Sequence, residues 1–195
     1  MNAIKHAVTV LLVSGASLAA VSTASANSIY LKLPGVTGPV TNTVFQGDIQ
    51  LHAYSQGFTD PTVVATGTGG SGASKVSCGA INIVKSIDST SPDFLRYVTM
   101  GSNINTATIY FVGSTASVTS AATVPYTITL TNVHVTSIQQ GDTVSNTSSL
   151  GITENISLVA EKFQFSYRPV NANGSLGAVE TVGWDCATNS AFAVN

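Results

Sequence analysis

Residues 124–138 read VPYTITLTNVHVTSI, and the fold turns on where that alternation breaks. Val124, Tyr126, Ile128 and Leu130 share one parity, the period-2 signature of a half-buried strand, whereas Val133 and Val135 take the other. A one-residue slip sends every following side chain to the opposite face, so the pattern predicts a β-bulge at Asn132. A second segment repeats the slip. Ile156, Leu158 and Ala160 precede Phe163, Phe165 and Tyr167, with the change around Glu161 and Lys162. Long strands that change faces midway suit a strongly coiled sheet that closes on itself. The reading is all-β, a barrel of two packed antiparallel sheets.

Strand patterns extend on both sides of this segment. Residues 28–33 (SIYLKL) alternate until Pro34-Gly35 stops them, and residues 47–58 (GDIQLHAYSQGF) place Ile49, Leu51 and Ala53 on one face. Residues 75–87 (KVSCGAINIVKSI) and 104–112 (INTATIYFV) add two more. One short helix interrupts the series, with Ser91 as N-cap, Pro92 at the first helical position and Asp93 in the first turn. Phe94, Leu95 and Val98 give it an apolar stripe, and Gly101 ends it. Residues 66–74 (TGTGGSGAS), 113–123 and 139–151 read as loops of small polar residues.

The chain of 195 residues carries seven Lys plus Arg and nine Asp plus Glu, so only 8% of it is charged. Ordinary soluble domains have about 25% charged residues. A formal net charge of -2 leaves no basic footprint for nucleic acid or an anionic membrane surface, both of which need clustered Lys and Arg. A surface with so few ions favours self-association.

At the N-terminus, Lys5 and His6 precede the apolar run of residues 7–13 (AVTVLLV), and small residues lead to Ala24-Ser25-Ala26. This is the order of a secretory signal with an A-x-A site, which predicts cleavage after Ala26. Ser14, Gly15, Ser17 and Ser22 break the run too early for a membrane span of about 20 apolar residues. The expected division is therefore a signal peptide at 1–26 and one barrel domain at 27–195, secreted or periplasmic in a bacterium, with no membrane insertion after cleavage.

Export changes how Cys78 and Cys186 read. Neither lies in a CxxC or Cys/His metal spacing, and an oxidising compartment permits them to pair. Two buried free thiols are the alternative. The bridge is the reading adopted, because both cysteines sit in strand-like segments that can be neighbours. Other chemistry is thin. Gly67, Gly69, Gly70 and Gly72 formally match a G-x-G-x-x-G loop, but no helix-forming segment follows to hold a phosphate. His52 and His134 stand alone in strands, and there is no G-x-S-x-G nucleophile elbow. No catalytic residue, cofactor or metal is expected.

Five stretches carry a likeness in order: residues 29–38 (IYLKLPGVTG), residues 48–57 (DIQLHAYSQG) ahead of the Gly-rich loop, residues 87–95 (IDSTSPDFL) leading into the helix, and residues 150–158 (LGITENISL). The fifth is residues 163–169 (FQFSYRP), followed by Gly183-Trp184-Asp185. Together they resemble the hemolysin-coregulated protein family, Hcp, the tube proteins of type VI secretion systems. The resemblance implies a barrel with one flanking helix, six copies in a ring and rings stacked into a tube. It further implies small effectors carried in the lumen or contact with type VI components as partnerships, and no enzymatic activity. Gly67, Gly69, Gly70 and Gly72, with residues 139–149, would then contact the next ring. The secretory leader departs from the family's pattern, in which tubes assemble in the cytoplasm. It leaves room for a second reading, an extracellular binding or effector module that keeps the barrel without forming tubes.

Overall fold

The structure is a computed structural model that describes residues 27–61, 75–113, 118–142 and 151–194. Its strands in chain order are β1 (Ser28–Lys32), β2 (Ile49–Leu51), β3 (Ala53–Ser55), β4 (Phe58–Thr59), β5 (Ser77–Cys78) and β6 (Ile81–Ser86). After the helix α1 (Ser91–Met100) come β7 (Asn103–Val112), β8 (Tyr126–Asp142), β9 (Ile152–Tyr167), β10 (Glu180–Asp185) and β11 (Ser190–Phe192).

The main sheet closes on itself. β1 lies between β7 and β2, and β7, β8 and β9 follow in antiparallel order. β9 pairs with β6, and β6 with β3. β2 and β3 are one run of chain broken only at His52, whose backbone N–H reaches the Val84 carbonyl at 2.7 Å and carries the ladder from β1 over to β6. The side-chain parity breaks at the same point: Ile49 and Leu51 are buried, Ala53 is exposed, and Tyr54 turns inward instead. The expected single face for Ile49, Leu51 and Ala53 is corrected accordingly. The path of paired strands thus returns to its start, and the interior is filled by alternate side chains such as Leu31, Ile83, Ile109, Ile128, Leu158 and Phe163, each at most 1% exposed.

The face change predicted in two strands occurs in three. β7 passes from buried Ile104 to Ala107 and Ile109, β8 from Leu130 to Val133, and β9 from Phe163 back to Leu158. Asn132 sits at the turning point with φ 52, a left-handed conformation that Asn tolerates better than most residues. Its Nδ2 donates to Glu161 Oε2 at 2.8 Å and its Oδ1 accepts from Asn103 Nδ2 at 2.9 Å. The pairing between β8 and β9 nevertheless runs through unshifted, Thr131 facing Lys162 and Val133 facing Ala160. The neighbouring strands roll over together, so no register is lost there. The register shift falls instead between Val135 and Ser137, which places the bulge beyond Asn132.

A second, smaller cluster lies outside the barrel. The chain between β1 and β2 folds back through Gly38 N–H to Gly47 O (2.7 Å) and Gly47 N–H to Val40 O (2.8 Å), with Gly47 at φ 81. This seats Phe45 flat on Tyr30 at 4.4 Å and against Tyr110 at 5.5 Å. A Cβ at Gly38 would collide with the Asp48 carbonyl, so glycine is required there.

Helix α1 begins one residue earlier than expected. Thr90 is the N-cap, Ser91 is the first helical residue, and Gly101 closes the helix at φ 63. Phe94 is fully buried, but Leu95 is 51% exposed, so the stripe is narrower than Phe94, Leu95 and Val98. The Ser91 hydroxyl is withdrawn from capping by a buried charge cluster.

Candidate functional site

β9 changes its edge partner partway along. Its first half, Thr153 to Leu158, pairs with β6, and its second half, Lys162 to Tyr167, pairs with β10. At the changeover the Cys186 N–H donates to the Glu161 carbonyl at 2.8 Å. Cys186 is joined there to Cys78 of β5 by a disulfide, with Cα atoms 6.2 Å apart and a sequence separation of 108. The bridge therefore stitches the two segments that share the β9 edge.

The turn between β10 and β11 is built to present Cys186. Asp185 accepts the N–H groups of Ala187 (2.9 Å) and Thr188 (3.0 Å) on Oδ1, while Oδ2 pairs with Lys162 at 3.2 Å. The Thr188 N–H, with Lys162 and the Ala187 N–H, outweighs burial and holds the Asp185 carboxyl below its usual range. Asn189 closes the turn at φ 53, and its Oδ1 accepts the Val76 N–H at 2.9 Å. Phe192 of β11 crosses Gly183, where an added Cβ would come within 2.8 Å of the ring. That contact explains the glycine before Trp184.

An apolar groove opens beside the bridge. Phe58, Val76, Phe165, Val182 and Trp184 line about 230 Å³. Val182 and Phe165 face each other across the β9–β10 ladder, and directly paired residues share a face. Phe58 stands edge-on to Phe163 (5.0 Å) and Phe165 (5.8 Å). The apolar surface continues past Phe165 and Val182 to Tyr167, which is 48% exposed, as Val182 is 58% exposed. Contiguous exposed apolar surface of this kind marks an interaction site more often than scattered single residues do.

A buried ionic cluster lies beneath α1. Lys85 Nζ, fully buried, sits 2.8 Å from Glu154, 2.9 Å from Asp88, 3.1 Å from Ser91 Oγ and 2.9 Å from the Ser86 carbonyl. Ser91 Oγ donates to Glu154 Oε2 at 2.7 Å, and Gln140 Nε2 donates to Oε1 at 2.7 Å. Burial alone would raise the Glu154 pKa, but the hydrogen bonds from Lys85, Gln140 and Ser91 together with the Lys85 charge reverse the sign and hold it low. Lys85, 5.8 Å from the Phe94 ring centroid, binds α1 to the barrel. Lys85 Nζ is thus ringed by four oxygens.

Sequence reasoning identified Cys78 and Cys186 but missed the groove and the cluster. The cluster does leave a trace: Lys85 has the parity of buried Ile81 and Ile83, and Glu154 that of buried Ile156 and Leu158. A charge at a core-facing position needs a partner. Gly67, Gly69, Gly70 and Gly72, together with Ala24 and Ala26, lie outside the described residues. His52 Nε2 is 2.8 Å from Ser86 Oγ, and the structure does not bring His52 and His134 together: His134 pairs with Asn103 and Val159 in the β7–β8 and β8–β9 ladders. Among the described residues no group of three His, Cys, Asp or Glu side chains gathers as a metal site, and no helix is long and apolar enough to cross a membrane.

The same strand arrangement is found in solved structures. One described as a type six secretion system protein superposes with a TM-score of 0.77 at 21% identity, covering 86% of this chain and 100% of that one. Hcp1 from Salmonella typhimurium gives 0.66 at 20% identity, with the same coverage. The secreted protein Hcp3 from Pseudomonas aeruginosa gives 0.54 at 17% identity, over 82% of this chain and 98% of that one. At these identities the likeness establishes the fold. No curated protein matches the sequence significantly. The family described as type VI secretion system effector, Hcp, matches residues 30–172, most of the chain, and on that match, together with the closed barrel, the protein belongs to the Hcp family.

Proposed function

We propose that this Hcp-type protein is exported through its N-terminal leader, loses residues 1–26 after Ala26, and assembles with copies of itself into a six-membered ring whose role is structural rather than catalytic. The observation that carries this reading is the apolar face on the C-terminal half of β9 and on β10, presented by a chain that is only 8% charged. A ring needs two different surfaces that fit head to tail. Exposed aromatic and aliphatic groups such as Phe165, Tyr167 and Val182, beside Glu180, are suited to one of them. The ring lumen would hold small effectors or meet other secretion components. In this reading the Gly67, Gly69, Gly70 and Gly72 segment, with residues 139–149, contacts the next ring of a stack.

The test is the mass of the protein purified from periplasm or medium under non-reducing conditions, by light scattering and intact mass spectrometry. The expected result is six protomer masses in one particle, with each protomer starting at Asn27. A single protomer at every concentration tried would overturn the ring and favour the extracellular binding module instead. Deletion of residues 68–72 is expected to leave rings but abolish stacks in negative-stain images; unchanged stacks would remove the loop from the interface.

A further inference from the structure

β4 and β5 form a two-pair ladder, Phe58 with Cys78 and Thr59 with Ser77, with the Gly79 N–H to Gly57 carbonyl bond (2.8 Å) at its base. So short a hairpin is unstable unless something else holds it. The ties to the β10–β11 turn are the Cys78–Cys186 bond and the Val76 N–H to Asn189 hydrogen bond. Phe58 and Val76 form one wall of the apolar groove, and Phe165, Val182 and Trp184 the other. The bridge thus joins the two walls. Both cysteines are only partly buried and line an open depression of about 370 Å³ with Lys75, Val76, Ser77 and Ala160. Lys75 adds a positively charged residue to that lining, and a cation nearby favours the approach of an anionic thiolate.

We propose that the Cys78–Cys186 bridge is a redox latch, a thiol–disulfide exchange site whose opening by an external dithiol separates the walls of the apolar groove while the barrel stays closed. One thiolate of the dithiol attacks either sulfur, forming a mixed disulfide and releasing one cysteine thiolate. The second thiolate of the dithiol then displaces the other cysteine. The reagent ends as its own disulfide, oxidised by two electrons, and its two protons pass to Cys78 and Cys186. The barrel survives because its ladders β6–β9, β9–β8, β8–β7 and β7–β1 make no use of the bridge. Its part in assembly rests on the ring reading, since an intact groove is then what the oxidised chain offers a neighbour.

The experiment is hydrogen exchange over seconds to minutes on the purified secreted protein, oxidised and after reduction by dithiothreitol, with the Cys78→Ser/Cys186→Ser double variant as a second sample. Amides at residues 57–59, 76–79 and 186–190 are expected to exchange at least tenfold faster after reduction, while the β7–β8 ladder stays protected in that window. Emission from Trp184, the chain's single tryptophan, is expected to shift to the red. Unchanged hairpin amides, or loss of protection throughout the barrel, overturns the latch. If the double variant fails to fold, reduction of the folded wild-type protein still decides the question. Light scattering of the same samples separates the two readings. A ring that falls apart on reduction supports the latch as a control on assembly, whereas a single protomer in both redox states refutes the ring and leaves the latch to the exchange result.

Discussion

Replacing Lys85 by Met is the sharpest probe of the buried charges. Lys85 and Glu154 have fully buried side chains 2.8 Å apart, and Asp88, 15% exposed, shares the same ammonium at 2.9 Å. Removing the cation strands a carboxylate that keeps only Gln140 and Ser91, and breaking a buried pair in this way costs about 3–5 kcal/mol. A domain of this size has about 5–15 kcal/mol in all, and the expected drop in Tm is on the order of 10 °C. The dependence on pH is the more discriminating readout. In the wild type the Glu154 pKa lies below its ordinary 4.5, so its stabilising contribution is complete above that value and fades as pH falls through the lowered one. Without Lys85, burial dominates and the pKa moves above the ordinary value. The variant then takes up a proton that the unfolded chain does not, and its deficit shrinks on acidification. Urea melts of K85M at pH 7.5 and pH 4.5 should show the larger deficit at the higher pH. The Lys85→Met/Glu154→Met double variant should recover to within about 1 kcal/mol of wild type, since paired apolar replacements of buried ion pairs are often neutral. A K85M deficit below about 1 kcal/mol at pH 7.5, or one independent of pH, would refute the assignment.

Three further outcomes are expected. The Cys78→Ser/Cys186→Ser variant should lose about 4–5 kcal/mol in guanidinium melts, because the bridge closes a sequence separation of 108 residues; equal midpoints for the oxidised and double-Ser proteins would show that it contributes nothing. Asn132→Val should cost about 1–3 kcal/mol through the left-handed backbone and the lost bonds to Asn103 and Glu161, with Asn132→Gly milder; the reverse order in thermal melts would contradict the roll-over at this residue. Gly183→Ala should displace Phe192 and detach β11, seen as loss of the Phe192 ring contacts in NMR spectra; unchanged spectra would show that the strands have room to part.

The long strands were legible because alternation over sixteen or seventeen residues leaves little choice of period, and the face change around Asn132 stood out in the same pattern. Its meaning was not legible. Whether one strand bulges or neighbouring strands roll together depends on pairing between segments far apart in sequence, and a single strand's pattern records only its own half. The short elements β4 and β5, which fell within or at the end of longer expected strands, were not legible as separate units for a related reason. β4 and β5 have two residues each, held by a disulfide and two phenylalanines rather than by their own propensity. The β10–β11 hairpin carries Gly183 where strand patterns favour a branched residue, and that glycine makes sense only once Phe192 is seen above it. Ser91 had the right chemistry for a cap, yet a buried lysine and glutamate competed for its hydroxyl more strongly than the helix end did.

The span enclosed by the Cys78–Cys186 bond has a topological outcome. Everything from β6 through β10 lies inside a covalent macrocycle, whereas β1 to β4 lie outside it on a free tail. A protease that cuts once in the enclosed span opens the hoop without releasing a fragment, and the two pieces stay covalently joined until a reductant is added. β1 and the β2–β3 run, synthesised first, are the staves outside the hoop that complete the wall between β7 and β6.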